Sequence, residues 1–324
     1  MRGLLRMNQF DVRPAMTRAA LLGGAAALTV SASTAVAADL APVKFISTIA
    51  DDLRPFLWAQ STGLFRQAGM DITFQGVGTG AIVAQEIVGG AADIGKASIT
   101  SIIAAYARGI PFTIIAPGLS YRKEDPTAGI LVAANSPLKT PLDLQGKVVT
   151  CSAIGDIAYL GLRALIDSRG GDSSTVKWVE MPFPAVSAAI QAGRVDAGLM
   201  GEPAMMQDVR AGKIRYFVDE LTGYSRPILE VVYFSTHDYA SKNREMIGRF
   251  AKVLERAAAY ANTHPAETIP LLLPLTGMDL KVATDMRHGY TATKFDPSAI
   301  QPVIDLMAKY KNIPHGFEAR ELLV

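Results

Sequence analysis

A nine-residue stretch of this chain occurs twice, and the repetition limits the possible folds. IVGGAADIG at residues 87–95 returns as IQAGRVDAG at residues 190–198, with four identical positions. In each copy an apolar segment with i, i+4 spacing runs into a glycine, and a short apolar strand begins at an aspartate. Because glycine adopts the left-handed conformation that ends helices, both copies predict a helix, a tight turn and a buried strand. Two such units predict two similarly built lobes with a cleft between them.

Strand and helix signals alternate along the rest of the chain, which predicts an α/β protein with mainly parallel, doubly wound sheets. Residues 119–141 are charged and proline-containing, so they predict a crossing between the lobes. The apolar segment 228–236 predicts a strand that returns to the first lobe. We therefore expect lobe 1 to comprise residues 39–118 plus 229–324, and lobe 2 residues 119–228. Predicted strands cover 43–48, 71–75, 112–118, 148–151 and 176–181, with two more beginning at Asp93 and Asp196; predicted helices cover 55–65, 80–88, 99–109, 156–168 and 241–261.

The first 37 residues are typical of a cleaved secretory signal peptide. Four arginines accompany a twelve-residue apolar core at 19–30, and Ala35-Val36-Ala37 matches a small-residue cleavage site. The core is too short to span a bilayer, which takes about 20 residues. Cleavage after Ala37 and cleavage after Ala38 both fit the sequence. The expected location of the mature protein is the periplasm.

Composition limits the partners of the mature chain. Of 32 basic and 30 acidic residues, the leader holds four arginines and one aspartate, which leaves 28 and 29. This balance provides no basic field for nucleic acid or for an anionic membrane. Cys151 is the only cysteine, so neither an internal disulfide nor a lipid anchor behind the leader is expected. A buried, inert thiol is the interpretation we favour for Cys151.

Candidate ligand-binding residues follow from a topological rule. In open parallel sheets, ligands bind beyond the carboxyl ends of the strands, where loops lead into helices. Unpaired amides at helix starts bind the acidic end of a solute, and an arginine pairs with a carboxylate or sulfonate. We add one tyrosine from the crossing and one arginine before the return strand. The predicted site residues are Asp51, Arg54, Thr79, Ser98, Tyr121, Ser152, Ile154, Gly155, Asp156, Glu202 and Arg226.

Structural roles compete with ligand binding at most of these positions. Thr79, Ser98 and Asp156 stand where side chains cap helices. Arg54 can balance a neighbouring aspartate, at 51 or 52, and the acid at 202 can form a structural salt bridge. Tyr121 can stack on a ligand ring or simply pack against the protein.

Several segments resemble the periplasmic solute-binding proteins of ABC importers, specifically the nitrate/sulfonate/taurine type. PFLWAQSTGLFRQAGMDITFQ at 55–75, SPLKTPLDLQGKVV at 136–149 and GRVDAGLMGEPAM at 193–205 are similar to that family's segments in the same order, and the resemblance spans roughly 43–265. The resemblance implies a type II periplasmic binding fold and a monomer that closes on a small solute. It also implies an ABC permease and its ATPase as partners.

Ligand class and activity leave alternatives open. Arg54 and the helix starts favour an organic anion such as a sulfonate or aromatic carboxylate, which is our preference; the nearby acids favour a nitrogen-containing ring. An enzyme on the same scaffold, of the pyrimidine-precursor or menaquinone-pathway type, is the first alternative, and an extracytoplasmic sensor is the second. GVGTG at 76–80 lacks the context of a dinucleotide loop, and the four histidines lack metal spacing. We therefore predict no enzyme activity, no catalytic residue, no metal and no cofactor.

Overall fold

Two five-stranded sheets organise the part of the chain that the structure, a computed structural model, describes: residues 40–323. The predicted leader lies outside these residues. No helix between 40 and 323 has both the length and the apolar character needed to cross a membrane. The strands are β1 (Ala41–Thr48), β2 (Met70–Val77), β3 (Ile94–Ser98), β4 (Phe112–Pro117), β5 (Leu119–Ser120), β6 (Ala128–Ala133), β7 (Val148–Cys151), β8 (Lys177–Glu180), β9 (Ala197–Gly201), β10 (Ile214–Val218), β11 (Val231–Thr236) and β12 (Tyr290–Thr291).

The two sheets have equivalent strand orders. Sheet 1 runs β2-β1-β3-β11-β4, and sheet 2 runs β8-β7-β9-β6-β10. In each, three adjacent strands are parallel and the fourth is antiparallel to its neighbours, β11 in sheet 1 and β6 in sheet 2. The predicted α/β class with mainly parallel sheets is therefore confirmed. The strands of sheet 1 lie within residues 41–117 and 231–236, and those of sheet 2 lie within residues 128–218. The lobe boundaries at 118 and 228 stay a prediction.

Helices connect and cover the strands. They are α1 (Arg54–Ser61), α2 (Leu64–Gln67), α3 (Gly80–Val88), α4 (Ile99–Ala107), α5 (Ile157–Ser168), α6 (Phe183–Gln191), α7 (Ala204–Arg210), α8 (His237–Lys242), α9 (Arg244–Thr263), α10 (Pro265–Thr268), α11 (Leu273–Thr276), α12 (Leu280–Asp285) and α13 (Gln301–Lys309).

Sheet 1 is buried on both faces. Phe45 of β1 packs against Phe56 of α1, with ring centroids 4.1 Å apart, and near Phe250 of α9. The next residue, Ile46, points to the opposite face and joins the cluster that contains Val83 of α3. Alternation along one strand thus feeds two hydrophobic layers, as a doubly wound sheet requires.

Each aspartate of the repeat closes the same backbone pair in its own sheet. The Asp93 amide donates to the Lys44 carbonyl oxygen at 2.9 Å, and its carboxylate accepts from the Lys44 amide at 2.7 Å. Asp196 makes the same two bonds to Val148, at 2.9 and 2.8 Å. The aspartate therefore fixes the start of β3 against β1, and its counterpart fixes the start of β9 against β7.

The repeat glycines are needed for two different reasons. Gly90 and Gly193 follow α3 and α6 with φ of 72° and 66°, the left-handed conformation that ends a helix. Gly95 and Gly198 lie in β3 and β9, where an added Cβ would meet Val83 or Val186 of the covering helix at less than 3 Å. The repeat is thus a complete structural unit, used once in each sheet.

Sequence patterns missed two strands of sheet 2. The predicted crossing at 119–141 contains β6, an interior strand of the sheet that lies between β9 and β10. The prediction weighed the charges and prolines around it and overlooked the apolar GILVA at 129–133. Strand β10 was not predicted either. The predicted helix at 241–261 begins earlier, as α8, and is interrupted at Asn243 before α9.

Candidate functional site

A cavity of about 490 Å³ lies where the loops of both sheets meet. Its wall includes Ser98 at the end of β3, Ser152 beyond β7 and Asp219 beyond β10. It also includes Thr127 and Glu230, which precede the antiparallel strands β6 and β11. Because an antiparallel strand begins at the edge where parallel strands end, all these residues lie at the edge where α/β sheets bind ligands.

Six of the eleven predicted site residues border this cavity, and five lie outside it. Ile154 at its wall has 49% of its surface exposed. Gly155 has φ of 86°, and an added Cβ there would lie 2.6 Å from the Asn312 side-chain nitrogen, so the wall needs a glycine at this point. The six that border the cavity are Ser98, Tyr121, Ser152, Ile154, Gly155 and Asp156.

The start of α5 is occupied by carboxylates of the protein itself. Asp156 caps the helix by accepting from the Tyr159 amide at 2.7 Å, and it also accepts from the Ala153 amide at 3.0 Å and the Ser152 hydroxyl. The Ile154 amide donates to Glu180 at 2.7 Å. The amides of Ala153, Ile154 and Tyr159 are therefore already engaged, and the negative charge of Asp156 at this helix start opposes an anion.

Arg54 and Asp51 form an ion pair outside the cavity. Arg54 is 3% exposed, and its guanidinium donates to Asp51 at 2.8 Å and to Thr268 at 3.2 Å. Asp51 also accepts from the His288 ring at 2.8 Å and from the Gly289 amide at 3.0 Å. Burial alone would raise the pKa of Asp51, but the His288 hydrogen bond and the Arg54 charge lower it overall. Since Gly289 borders the cavity, the pair supports the cavity wall from behind.

Two of the other three predicted residues also have local structural contacts, and the third lies at the surface. The Thr79 hydroxyl caps α3 by accepting from the Ile82 amide at 3.3 Å. Glu202 accepts from the Met206 amide at 3.3 Å, and burial raises its pKa. Arg226 borders a separate surface depression and is exposed.

Sequence analysis missed the most acidic part of the cavity. Asp219, Glu220 and Glu230 all border it, and Glu220 is 1% exposed. Burial, reinforced by neighbouring carboxylates that include Asp219, raises the pKa of Glu220 well above its usual value. Burial together with the charges of Asp52 and Asp219 raises the pKa of Glu230 to about 8.

Two arginines border the same cavity from exposed positions. The Arg122 guanidinium lies 4.4 Å from the centre of the Tyr290 ring, a cation–π arrangement, and Arg108 lies just beyond α4. Tyr290 also borders the cavity, so an aromatic face and a cation are available at its rim.

Tyr121 joins the two segments that pass between the sheets. Its hydroxyl donates to Asp219 at 2.6 Å, and its amide donates to the Ile228 carbonyl oxygen at 3.0 Å. Burial raises the pKa of Tyr121 most, and the hydrogen bond to Asp219 raises it further.

The buried Cys151 ends β7, and burial raises the pKa of its thiol to about 12, so the thiolate is scarce at neutral pH.

A signal for the missed acids exists in the sequence. Asp219 and Glu220 directly follow IRYFV at 214–218, whose β-branched and aromatic residues favour a strand. With β10 assigned, the strand-end rule selects both acids. Glu230 and Asn312 leave no such signal, because one precedes an antiparallel strand and the other follows a helix, α13.

Solved structures share this fold. The periplasmic aliphatic sulphonate-binding protein from Escherichia coli matches with a TM-score of 0.73 at 21% identity, covering 87% of this chain and 92% of that one. An alkanesulfonate-binding protein from Xanthomonas axonopodis, bound to MOPS, matches with a TM-score of 0.70 at 19% identity, covering 89% and 99%. The predicted type II periplasmic binding fold is therefore confirmed.

Curated relatives fall into two kinds. The taurine-binding periplasmic protein of Escherichia coli is 24% identical over 60% of this chain and 59% of its own length. A 4-amino-5-hydroxymethyl-2-methylpyrimidine phosphate synthase of Saccharomyces cerevisiae is also 24% identical, over 66% of this chain. The chain spans 64% of that synthase, so in both cases it matches less than two thirds of the relative.

The family assignment rests on a longer match. The model described as NMT1/THI5 like matches residues 50–268, which is more than half of the chain and contains sheet 2 and every strand of sheet 1 except β1. The resemblance predicted from the segments at 55–75, 136–149 and 193–205 falls within this range. The chain belongs to the NMT1/THI5-like family.

Proposed function

We propose that this protein is the periplasmic solute-binding component of an ABC importer. In this proposal it binds a small solute in the cavity between the sheets and delivers it to a permease and its ATPase. The observation that carries the proposal is the cavity itself, bordered by strand-end loops of both sheets. Its volume, about 490 Å³, lies within the range of about 300–1,000 Å³ typical of small-molecule sites.

Closure around the solute supplies the mechanism of the proposal. The chain passes between the sheets after β5 and before β11, and these two passages are hydrogen-bonded through Tyr121. A solute that contacts both sets of loops only when they approach each other favours the closed arrangement. A permease that recognises the closed arrangement would then distinguish loaded from empty protein.

The relatives support binding and leave catalysis as the second candidate. Proteins named for taurine and aliphatic sulfonates favour a receptor for a small organic solute. Relatives named as pyrimidine phosphate synthases match at similar identity, so conversion of a bound pyrimidine precursor is the alternative. We infer export from the leader-like residues 1–37 and a monomeric receptor from the family resemblance. We also infer no turnover through Cys151, because its buried thiol is a poor nucleophile at its raised pKa.

A thermal-shift screen of the mature protein tests the proposal. The panel contains sulfonates, aromatic carboxylates, nitrate and pyrimidines, and a solute at 100 times its Kd should add about 2.7 kcal/mol of stability. Mass spectrometry after overnight incubation then shows whether the bound compound is unchanged. An unchanged ligand supports a receptor and a converted one supports the enzyme; if no compound shifts the melt, the receptor proposal fails.

Export is tested separately. We expect the chain expressed with its first 37 residues in a Gram-negative host to accumulate in the periplasmic fraction, shortened by 37 or 38 residues. Accumulation of the full-length chain in the cytoplasmic fraction would contradict the localisation.

A further inference from the structure

The charges around the cavity are separated by depth. Glu220 is 1% exposed, and Asp219 and Glu230 are partly buried, so the inner wall is acidic. Three exposed charged residues border the same cavity, Arg108, Arg122 and Asp125. A solute that enters fully therefore meets carboxyl groups at its inner end and, at the rim, two guanidinium groups and one carboxylate.

Two acceptor atoms at the inner wall have no partner within residues 40–323. Glu220 Oε2 and Asn312 Oδ1 are both inaccessible to solvent and make no hydrogen bond in this part of the chain. Both residues border the cavity. Leaving a buried polar atom unpaired costs about 1–3 kcal/mol, so a donor that reaches these atoms when the wall adjusts on binding recovers that cost.

The alternatives for the inner end of the solute differ in the protonation state that they require of the wall. An anion placed against Glu220 and Glu230 requires both glutamates to stay protonated, and either one repels it when that carboxyl group ionises. A protonated amine, or the N–H groups of an amino-substituted ring, supplies donors and in the protonated case a compensating charge. In the loop before α5, the amides of Ala153 and Ile154 are engaged by Asp156 and Glu180, and the Asp156 carboxylate at the helix start opposes an anion.

We propose, on the basis of the receptor function above, that the solute carries a nitrogen donor group and binds with that group inward, against Glu220 and Glu230. Any acidic group of the same solute then faces the rim, where Arg122 lies over Tyr290. The solute class is therefore that of nitrogen bases and of amino acids in the broad chemical sense, bound with the nitrogen inward.

The raised pKa values provide a second signature. Glu230 is faced by the charges of Asp52 and Asp219, and Asp52 is itself ion-paired with Lys96 at 2.5 Å. A cation that docks against Glu230 favours its ionised form, so binding should release a proton at pH 7. The affinity for an amine should therefore increase between pH 6 and pH 8.5.

Matched pairs of compounds that differ only in the nitrogen group test the proposal by calorimetry. We would use taurine with ethanesulfonate, 4-aminobenzoate with benzoate, and 4-aminopyrimidine with pyrimidine. The expected result is that the tightest ligand contains the nitrogen and that its partner binds at least about tenfold more weakly, the effect of one lost charge-assisted hydrogen bond. A compound without the amino group that binds as tightly as its amino partner overturns the orientation and leaves the receptor function standing. Failure of every compound, here and in the wider screen, removes both.

Variants of the inner acids distinguish a direct effect on ligand affinity from a general loss of folding. Glu230→Gln keeps the shape of the side chain, and we expect it to weaken the amino compound at least about tenfold at pH 8.5 and to flatten the pH dependence. Glu220→Gln should act in the same direction; if it does not fold, Glu230→Gln decides. Glu255→Gln, on an exposed part of α9, is the matched control and should change nothing. Unchanged affinity and pH profile in Glu230→Gln would refute the proposal.

Discussion

Alanine at Gly198 provides a quantitative test of the repeated unit. A Cβ at this position would lie 2.5 Å from the Thr150 Oγ1 atom and closer still to the Val186 side chain of α6. Both neighbours are buried, and separations under 3 Å require α6 or β7 to move away from β9. Overpacking of this kind costs about 1–3 kcal/mol. Since 1 kcal/mol shifts Tm by about 2–4 °C in domains of 150–250 residues, we expect Gly198→Ala to melt about 2–12 °C lower.

The control is a glycine whose substitution should have the opposite effect. Gly248 lies inside α9, is exposed, and a Cβ built there meets nothing within 4 Å. Alanine is favoured over glycine in a helix by about 1 kcal/mol, so Gly248→Ala should raise Tm slightly. Thermal melts followed by circular dichroism, without ligand, measure both variants. If Gly198→Ala melts with or above the unsubstituted protein, the close approach of α6 to β9 is not a determinant of stability and the argument from the repeat fails.

Three further outcomes follow from the site. Arg54→Ala removes a buried partner of an ion pair and should lower the free energy of unfolding, measured by chemical denaturation, by about 3 kcal/mol. The Kd of the folded variant for the solute should stay within about twofold, and a large loss of affinity would show direct ligand contact. Tyr121→Phe removes the hydrogen bond to Asp219, so it should lower the free energy of unfolding by about 1 kcal/mol and raise the pKa of Asp219. NMR of carboxyl-labelled protein measures this pKa, and an unchanged value would contradict the pairing. The pKa of Glu230 in the folded protein, about 8, exceeds its usual 4.5, so the contribution of Glu230 to stability is complete below pH 4.5 and is lost as the pH rises to 8. Glu230→Gln should therefore reduce the dependence of the unfolding free energy on pH, measured by denaturation at several pH values, and an unchanged dependence would refute the assignment.

The regular part of the fold could be predicted because its determinants are local. Helix α3 and strand β7 have the predicted bounds, and the Asp93 and Asp196 units fold alike, since a glycine turn and an aspartate that pairs with the neighbouring strand need only short sequences. Strand β6 escaped prediction because its neighbours in the chain are charged, while its burial comes from sheet pairing with β9 and β10. Burial of that kind is a tertiary effect, which local propensity does not register.

The candidate site was likewise predictable where local sequence decides the structure and unpredictable where tertiary contacts do. The strand-end rule selected loops that border the cavity, because topology decides where loops converge. It also selected Arg54, which lies outside the cavity, because the sequence does not decide whether an arginine near an aspartate pairs with that aspartate or with a solute. It did not select Glu220, whose strand was unassigned, or Asn312, which reaches the cavity from a segment after α13.

The equivalence of the two sheets explains why the acidic wall is informative about the ligand. The repeated unit supplies each sheet with the same backbone bonds and the same helix contact, so its residues serve the fold of this chain. Asp219 accepts from the Tyr121 hydroxyl and the Leu221 amide, whereas Glu220 and Glu230, which also lie outside both copies of the repeat, have no such role in the sheets. Burying three carboxyl groups together destabilises the empty protein, as their raised pKa values indicate. A cost that the scaffold does not require is most simply explained by a bound donor, which makes the inner wall a better guide to the solute than any residue of the repeat.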